Sequence, residues 1–199
     1  MSFLPWTSGA EYKLLSAKFR HLNTFIAICR DRETGQIHRD PTTGRPRIAY
    51  TPSDFDRAHN LRGVLELCKI LFQQRAREIH PAIAGVAPFV RQDGRDEAKE
   101  KRDFDKWLAK VKAAGNKPPV TPFASAHQMG TCRMSSKPKE GVVDPKGRVW
   151  GTEGLYVADA SVFPSASGVN PMVTTMAVSD WIAQGLCDDL RGEGIAARL

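Results

Sequence analysis

Leu61, Val64, Leu65, Cys68, Leu71 and Phe72 recur at 3.6-residue spacing, and no other feature limits how this chain can fold as strongly. That spacing sets all of them along one side of an α-helix, and such a side must be buried. Ahead of it, Thr51-Pro52-Ser53-Asp54 offers a hydroxyl cap, a proline at the first helical position and an acid at the third. Pro81 is expected to stop the helix. A second helix is predicted within Arg91 to Lys117, where Phe104, Trp107, Leu108 and Val111 form an apolar stripe. Its charges alternate in sign, Glu97 stands one turn before Lys101 as an ion-pair partner, and Gly115, Pro118 and Pro119 end it.

Two such helices need something to cover. Thr24 to Arg30 is β-rich, Asp31 to Gly35 supplies turn residues, and Gln36-Ile-His38 resumes a strand. Asp40 to Gly44 is a further turn before the apolar Ile48-Ala-Tyr50, so an antiparallel hairpin or meander is expected. Gly85 and Pro88 limit Ile83 to Val90 to a strand or loop. Ser2 to Ser16, with Phe3, Leu4, Trp6 and Tyr12, reads as an apolar arm that packs either within this chain or on protein missing from it. The class is α+β: a partial antiparallel sheet with long amphipathic helices.

At 199 residues, 41% hydrophobic and 26% charged, the chain suits one domain or a small two-lobed one, and a wholly disordered or fibrous protein is excluded. The net charge of +7 would favour nucleic acid or an anionic membrane surface only if it were clustered. In the most charged stretch the signs are mixed and no aromatics interleave with the bases, which argues against nucleic acid. Peripheral membrane contact stays open. Cys29, Cys68, Cys132 and Cys187 form no Cys-x-x-Cys pair, so no zinc site is expected, and buried free thiols in a reducing compartment are. Met1 to Ala10 lacks the features of a secretory signal, and no stretch approaches the roughly 20 apolar residues of a membrane span.

From Ser125 the character changes. SAHQMGTCRM (Ser125 to Met134) sets His127 among small, flexible residues. Leu155 to Ala158 reads as a buried strand with Asp159, Ala160 and Ser161 just past its end. Asn170-Pro171 then opens a helix, Asn170 as cap and Pro171 at the first helical position, with Met172, Val173, Met176 and Ile182 as its apolar residues. A helix start presents unpaired amides and positive potential to a partial anion. Taken singly, His127 reads as structural, Asn170 as a plain cap and Asp159 as a turn former.

Together they read otherwise. His-x-x-Gly-Thr-Cys-x-Met, Val-Val-Asp-Pro, Leu-Tyr-Val-Ala-Asp-Ala-Ser-Val-Phe-Pro and Gly-Val-Asn-Pro-Met-Val-Thr follow in order over about sixty residues. This series closely resembles the C-terminal signature of the glucose–methanol–choline (GMC) flavin oxidoreductases. LPWTSGAEYKLL, FIAICRDRETGQI and SDFDRAHNLRGVLELCKIL resemble the long-chain fatty alcohol oxidase branch.

The resemblance implies FAD-dependent oxidation of a primary, long-chain alcohol to an aldehyde. His127 would be the base for the hydroxyl proton and Asn170 would hold the substrate oxygen. Asp159 and Ala160 would contact the ribityl–pyrophosphate portion of the cofactor, and Pro171 and Met172 the flavin pyrimidine edge. It also implies residues 1–120 as part of a substrate-binding domain, and 121–199 as the C-terminal segment with the return strand and helix of an FAD-binding domain. The sequence departs from the family in holding no Gly-x-Gly-x-x-Gly, the loop that cradles a pyrophosphate. The chain is therefore expected to be the C-terminal part of a longer enzyme whose N-terminal FAD-binding portion is its missing partner. Alone it should be inactive and bind FAD weakly or not at all. The alternative is a non-catalytic binding or assembly module derived from that family. The ending Ala197-Arg198-Leu199 resembles a relaxed peroxisomal address for a eukaryotic chain; a bacterial one would be cytoplasmic or membrane-associated.

Overall fold

A computed structural model describes residues 4–196. Among them, helices combine with two-stranded antiparallel sheets, so the class is α+β. The chain forms two compact units. One takes the chain up to Cys29 together with Pro52–Ala124, and the other takes Arg30–Thr51 together with the chain from Ser125 onward. Compactness thus groups Arg30–Thr51 with the later part. The division at residue 120 was one of function, substrate against flavin, and stays a proposal.

In the first unit, α1 (Gly9–Ala17) is capped by Ser8, whose Oγ accepts the Glu11 N–H at 3.1 Å. The segment read as an apolar arm is thus helical in part, and Trp6 is 72% exposed with its ring 5.7 Å from that of Tyr12. Phe3 lies outside the described residues. Thr24 to Arg30 forms no strand either. β-branched residues make strands only beside another strand, and here Thr24 to Cys29 is held by a helix instead. Asn60 Nδ2 donates to the Ala27 carbonyl at 3.0 Å, and a Cβ at Gly63 would come within 2.9 Å of the Ala27 Cβ.

That helix is α2 (Asp54–Gln73), and it starts later than its Thr-Pro-Ser-Asp lead suggests. Ser53 is the cap: its Oγ accepts the Asp56 N–H at 3.1 Å and donates to Asp56 Oδ2 at 2.8 Å. Pro52 falls one residue before the cap. The helix also ends well short of Pro81. Arg75 turns into the left-handed region (φ +60°), and Arg91 donates to the carbonyls of Phe72 at 2.7 Å and Ala76 at 3.3 Å. Terminal carbonyls satisfied in that way need no further turn.

β3 (Glu78–Ile79) and β4 (Phe89–Val90) pair antiparallel, Ile79 opposite Phe89. α3 (Glu97–Ala114) is capped by Asp96. Its Glu97 pairs with Arg75 at 3.0 Å rather than with Lys101, which takes Asp105. The core closes where Phe104 stacks on Phe72 at 4.1 Å, with Phe89 edge-on to Phe104 at 5.4 Å and Trp107 and the fully buried Val111 beside them. Burial of each such side chain is worth roughly 1.5–3 kcal/mol.

In the second unit, β1 (Gln36–Arg39) and β2 (Pro46–Ala49) form the expected hairpin, Ile37 opposite Ile48. Its turn is fixed by Asp40 Oδ1, which accepts the N–H of Thr43 at 2.7 Å and of Thr42 at 2.9 Å. The remaining core is small: Val143, Val162, Phe163 and Ile182, the last on α4 (Met172–Ala196). Leu155 to Ala158 is not a buried strand. Tyr156 makes a single bridge to Arg148, flanked by Val149 N–H to Leu155 O and Val157 N–H to Gly147 O, both 2.9 Å, and Leu155 is exposed. A partner of three residues stops the ladder there.

All four cysteines are free, but only Cys68 is buried, and burial pushes its thiol up to about 11; Cys187 is exposed. Among the described residues no helix is long and apolar enough to cross a membrane, and no His, Cys, Asp and Glu cluster could hold a metal. Ala197-Arg198-Leu199 lies outside the described residues.

Candidate active site

His127 sits in a loop held by side-chain bonds on one flank and by backbone bonds on the other. Its own N–H reaches Ser125 Oγ at 3.4 Å, and Gln128 Nε2 donates to the Ser125 carbonyl at 3.0 Å, which turns the chain just before the imidazole. Downstream, Gly130, Cys132 and Met134 donate in alternation to the carbonyls of Ala160, Ser161 and Val162 at 3.1, 2.8 and 2.8 Å. On the other edge Ser135 donates to Val143 O and Val142 to Arg133 O, both at 2.9 Å. Gly130 has φ +81°, and a Cβ there would stand 3.2 Å from the Phe163 carbonyl, so a larger residue would strain the turn.

The three acceptors belong to a single 3₁₀ turn, Ala160–Val162, which Asp159 caps by accepting the Ser161 N–H at 2.7 Å. Hydrogen bonds from Ser161, hydroxyl first and then N–H, hold the Asp159 carboxyl below the usual carboxylate range. Ala160 therefore receives Gly130 while Asp159 shapes the same turn.

α4 attaches to this turn from the other side. Ser179 Oγ donates to the Ala158 carbonyl at 2.6 Å. The helix begins one residue later than expected. The carbonyl of the buried Pro171 accepts both the N–H (2.7 Å) and the hydroxyl (2.9 Å) of Thr175, so Pro171 occupies the cap position and Asn170 precedes it. Asn170 is exposed and does not act as the cap. The loop before it is pinned by Arg30 Nη2 on Ser165 Oγ at 2.9 Å and by Ser167 Oγ on Val169 O at 2.5 Å. Past it, Met172 and Val173 are exposed at 68% and 69%.

The structure thus joins the His127 loop, the Asp159–Ala160 turn and α4 through residues 158–162. No hydrogen bond links the His127 imidazole to Asn170 among the described residues.

One residue of this frame had no role in the sequence reading. Asp144 is 4% exposed; its Oδ1 accepts the N–H of Lys146 (2.8 Å) and Arg148 (3.0 Å), and its Oδ2 accepts Arg148 Nε (2.7 Å). The neighbouring Val143 bridges both Met134 and Val149, and a Cβ at Gly147 (φ +79°) would come within 2.7 Å of Ile182 on α4. The Asp-Pro-Lys-Gly string signals a turn, and nothing in it announces the buried charge.

Residues 31–179 match the sequence model of the GMC oxidoreductases, and the chain belongs to that family. A long-chain-alcohol oxidase of Arabidopsis thaliana is 35% identical over 175 residues, 88% of this chain and 23% of the relative. A second from the same plant is 32% identical over 188 residues, 94% of this chain and 24% of the relative. An FAD-dependent oxidoreductase from Chaetomium thermophilum shares the fold with a TM-score of 0.51 at 22% identity, over 82% of this chain and 26% of the other. The chain spans about a quarter of the length of the curated relatives it matches.

Proposed function

We propose that this chain is the alcohol-handling C-terminal part of an FAD-dependent oxidase or dehydrogenase that converts a primary, long-chain alcohol to its aldehyde. The observation that carries the reading is the backbone ladder from Gly130, Cys132 and Met134 to Ala160–Val162. It ties the segment that begins three residues after His127 to the turn expected to touch the cofactor. The names of the two Arabidopsis relatives support the substrate class.

The residues at the start of α4 fit the ring end of FAD. Exposed Val169, Met172 and Val173 offer an apolar surface for an aromatic face, and the unpaired first-turn amides suit its polar edge. Asp159 and Ala160 would serve the ribityl side. A pyrophosphate cradle would have to come from the N-terminal portion.

When bound, FAD would supply the two-electron acceptor. His127 would take the hydroxyl proton at its unprotonated ring nitrogen, the role for which imidazole suits neutral pH. Asn170 would donate its side-chain N–H to the substrate oxygen, stabilising alkoxide character without titrating. Its exposed position, ahead of a helix anchored through Pro171, leaves that amide available. As the oxygen loses its proton, the C–H bond of the carbinol carbon would break, its hydrogen would leave with both bonding electrons as a hydride to that acceptor, and the carbonyl would form.

The test supplies the FAD-binding portion of a long-chain-alcohol oxidase in trans and follows flavin bleaching without oxygen. Bleaching by dodecan-1-ol is expected. No bleaching by any alcohol would overturn the reading in favour of a non-catalytic assembly module. A peroxisomal address at Ala197-Arg198-Leu199 belongs to the same proposal for a eukaryotic source. Fusion of the last dozen residues to a fluorescent protein should give puncta that vanish on deletion of Leu199.

A further inference from the structure

The carboxylates of α3 are all spoken for. Glu97 pairs with Arg75, Glu100 with Arg91, Asp103 with Arg95 and Asp105 with Lys101. The cations of the same helix are not balanced in this way. Lys99, Arg102, Lys106 and Lys110 are exposed, and among the described residues none of them has an ion-pair partner. Their spacing of three, four and four residues aligns them in one row, on the side away from the buried Glu100, Phe104, Trp107 and Val111. At 1.5 Å per residue the row runs about 16 Å.

Alternation along the sequence hides this, because the partners of the acids come mostly from outside the helix. Arg75, Arg91 and Arg95 neutralise three of them from neighbouring segments. At the edge facing α2, Arg62, Lys69 and Lys112 line an open groove of about 500 Å³, and its acids Glu66 and Asp105 are already held by Lys69 and Lys101.

We propose that this face of α3 docks the protein onto an anionic lipid bilayer. Charge complementarity is the attraction: each Lys or Arg near such a surface adds about fivefold to the binding constant, and the attraction fades with salt over roughly 8 Å at physiological strength. The exposed uncharged residues of α3 are all alanines, Ala98, Ala109, Ala113 and Ala114, with no aromatic, amide or hydroxyl to stack on or read a base, so a nucleic acid is the poorer fit. The choice of lipid also rests on the proposed substrate, since every methylene of a long alkyl chain favours leaving water and such a chain resides in membranes.

The test is co-sedimentation of the full chain with vesicles, which needs no turnover and stands or falls separately from alcohol oxidation. Phosphatidylcholine vesicles carrying a third phosphatidylserine should bind at least tenfold more tightly than phosphatidylcholine alone, and 0.5 M salt should abolish the difference. Lys106→Gln/Lys110→Gln should lower the anionic binding by about thirtyfold, whereas Arg45→Gln/Arg47→Gln, with the same loss of charge on the β-hairpin, should leave it within threefold. Equal effects of the two variants, no preference for anionic vesicles, or α3-dependent binding to poly(U) with none to vesicles would each overturn the proposal.

Discussion

Phe72, Phe89, Phe104 and Trp107 interlock in the first unit, and α2, α3 and a two-stranded sheet exist to bring those rings together. Around His127 the balance is reversed. There Gly130 to Ser135 is bonded along both edges by backbone, its turns are set by Asp159, Asp144 and left-handed glycines, and the apolar core shrinks to Val143, Val162, Phe163 and Ile182. One unit is held by area and the other by bonds. A packed core tolerates swaps that keep its volume, while hydrogen bonds fix individual atoms, and a site that must place an imidazole beside a cofactor needs fixed atoms.

The contrast can be broken first in the aromatic core. Phe104→Ala should cost about 3–5 kcal/mol in urea unfolding, with lost amide protection in α2 and α3. A cost under 1 kcal/mol would mean that the rings are not the main support. The bonded unit should be most sensitive at its glycines. Gly147→Ala combines a left-handed φ with a 2.7 Å approach to Ile182, so a loss of about 3 kcal/mol is expected. At Gly151, where φ is +76° and the space is open, alanine should cost only about 1 kcal/mol.

Asp144 sharpens the comparison by pH. Burial opposes its charge, but the N–H and guanidinium of Arg148 and the N–H of Lys146 outweigh that, and the carboxyl lies below its ordinary 3.8. The folded state thus favours the ionised form. Its contribution is complete above the ordinary value and is lost as the pH falls through the depressed one. Asp144→Asn should lower stability by about 2 kcal/mol at pH 7 and flatten the decline below about pH 4. The same acid limb in both proteins would remove Asp144 from the account.

The smallest effects separate a true cap from an apparent one. Ser53→Ala should cost about 1 kcal/mol in thermal unfolding, whereas Asn170→Ala should cost less than 0.5 kcal/mol, as for an exposed residue outside the helix.

The first unit was largely legible in the amino-acid sequence, because a helix that buries one side announces itself by spacing. The stripes Leu61 to Phe72 and Phe104 to Val111 are where the pattern put them. Ends were harder. α2 stops through Arg91, a residue distant in sequence, and no local letter carries that. In the second unit the motifs were legible as a family signature, but their support was not. The expected strand at Leu155 to Ala158 met only Gly147–Val149, and the bonds from Gly130, Cys132 and Met134 are backbone bonds, to which side-chain identity gives almost no clue. Asp144 was missed for a related reason, since its partners are chiefly the amides of its own turn.

What remains central is the chemistry assigned to His127. The most direct measurement is the rate of flavin bleaching by a long-chain primary alcohol, without oxygen, in the complemented enzyme and in its His127→Ala variant. A slowing of about a hundredfold or more is expected if the imidazole takes the hydroxyl proton, with FAD content unchanged. Bleaching at the unaltered rate in the variant would contradict the assignment.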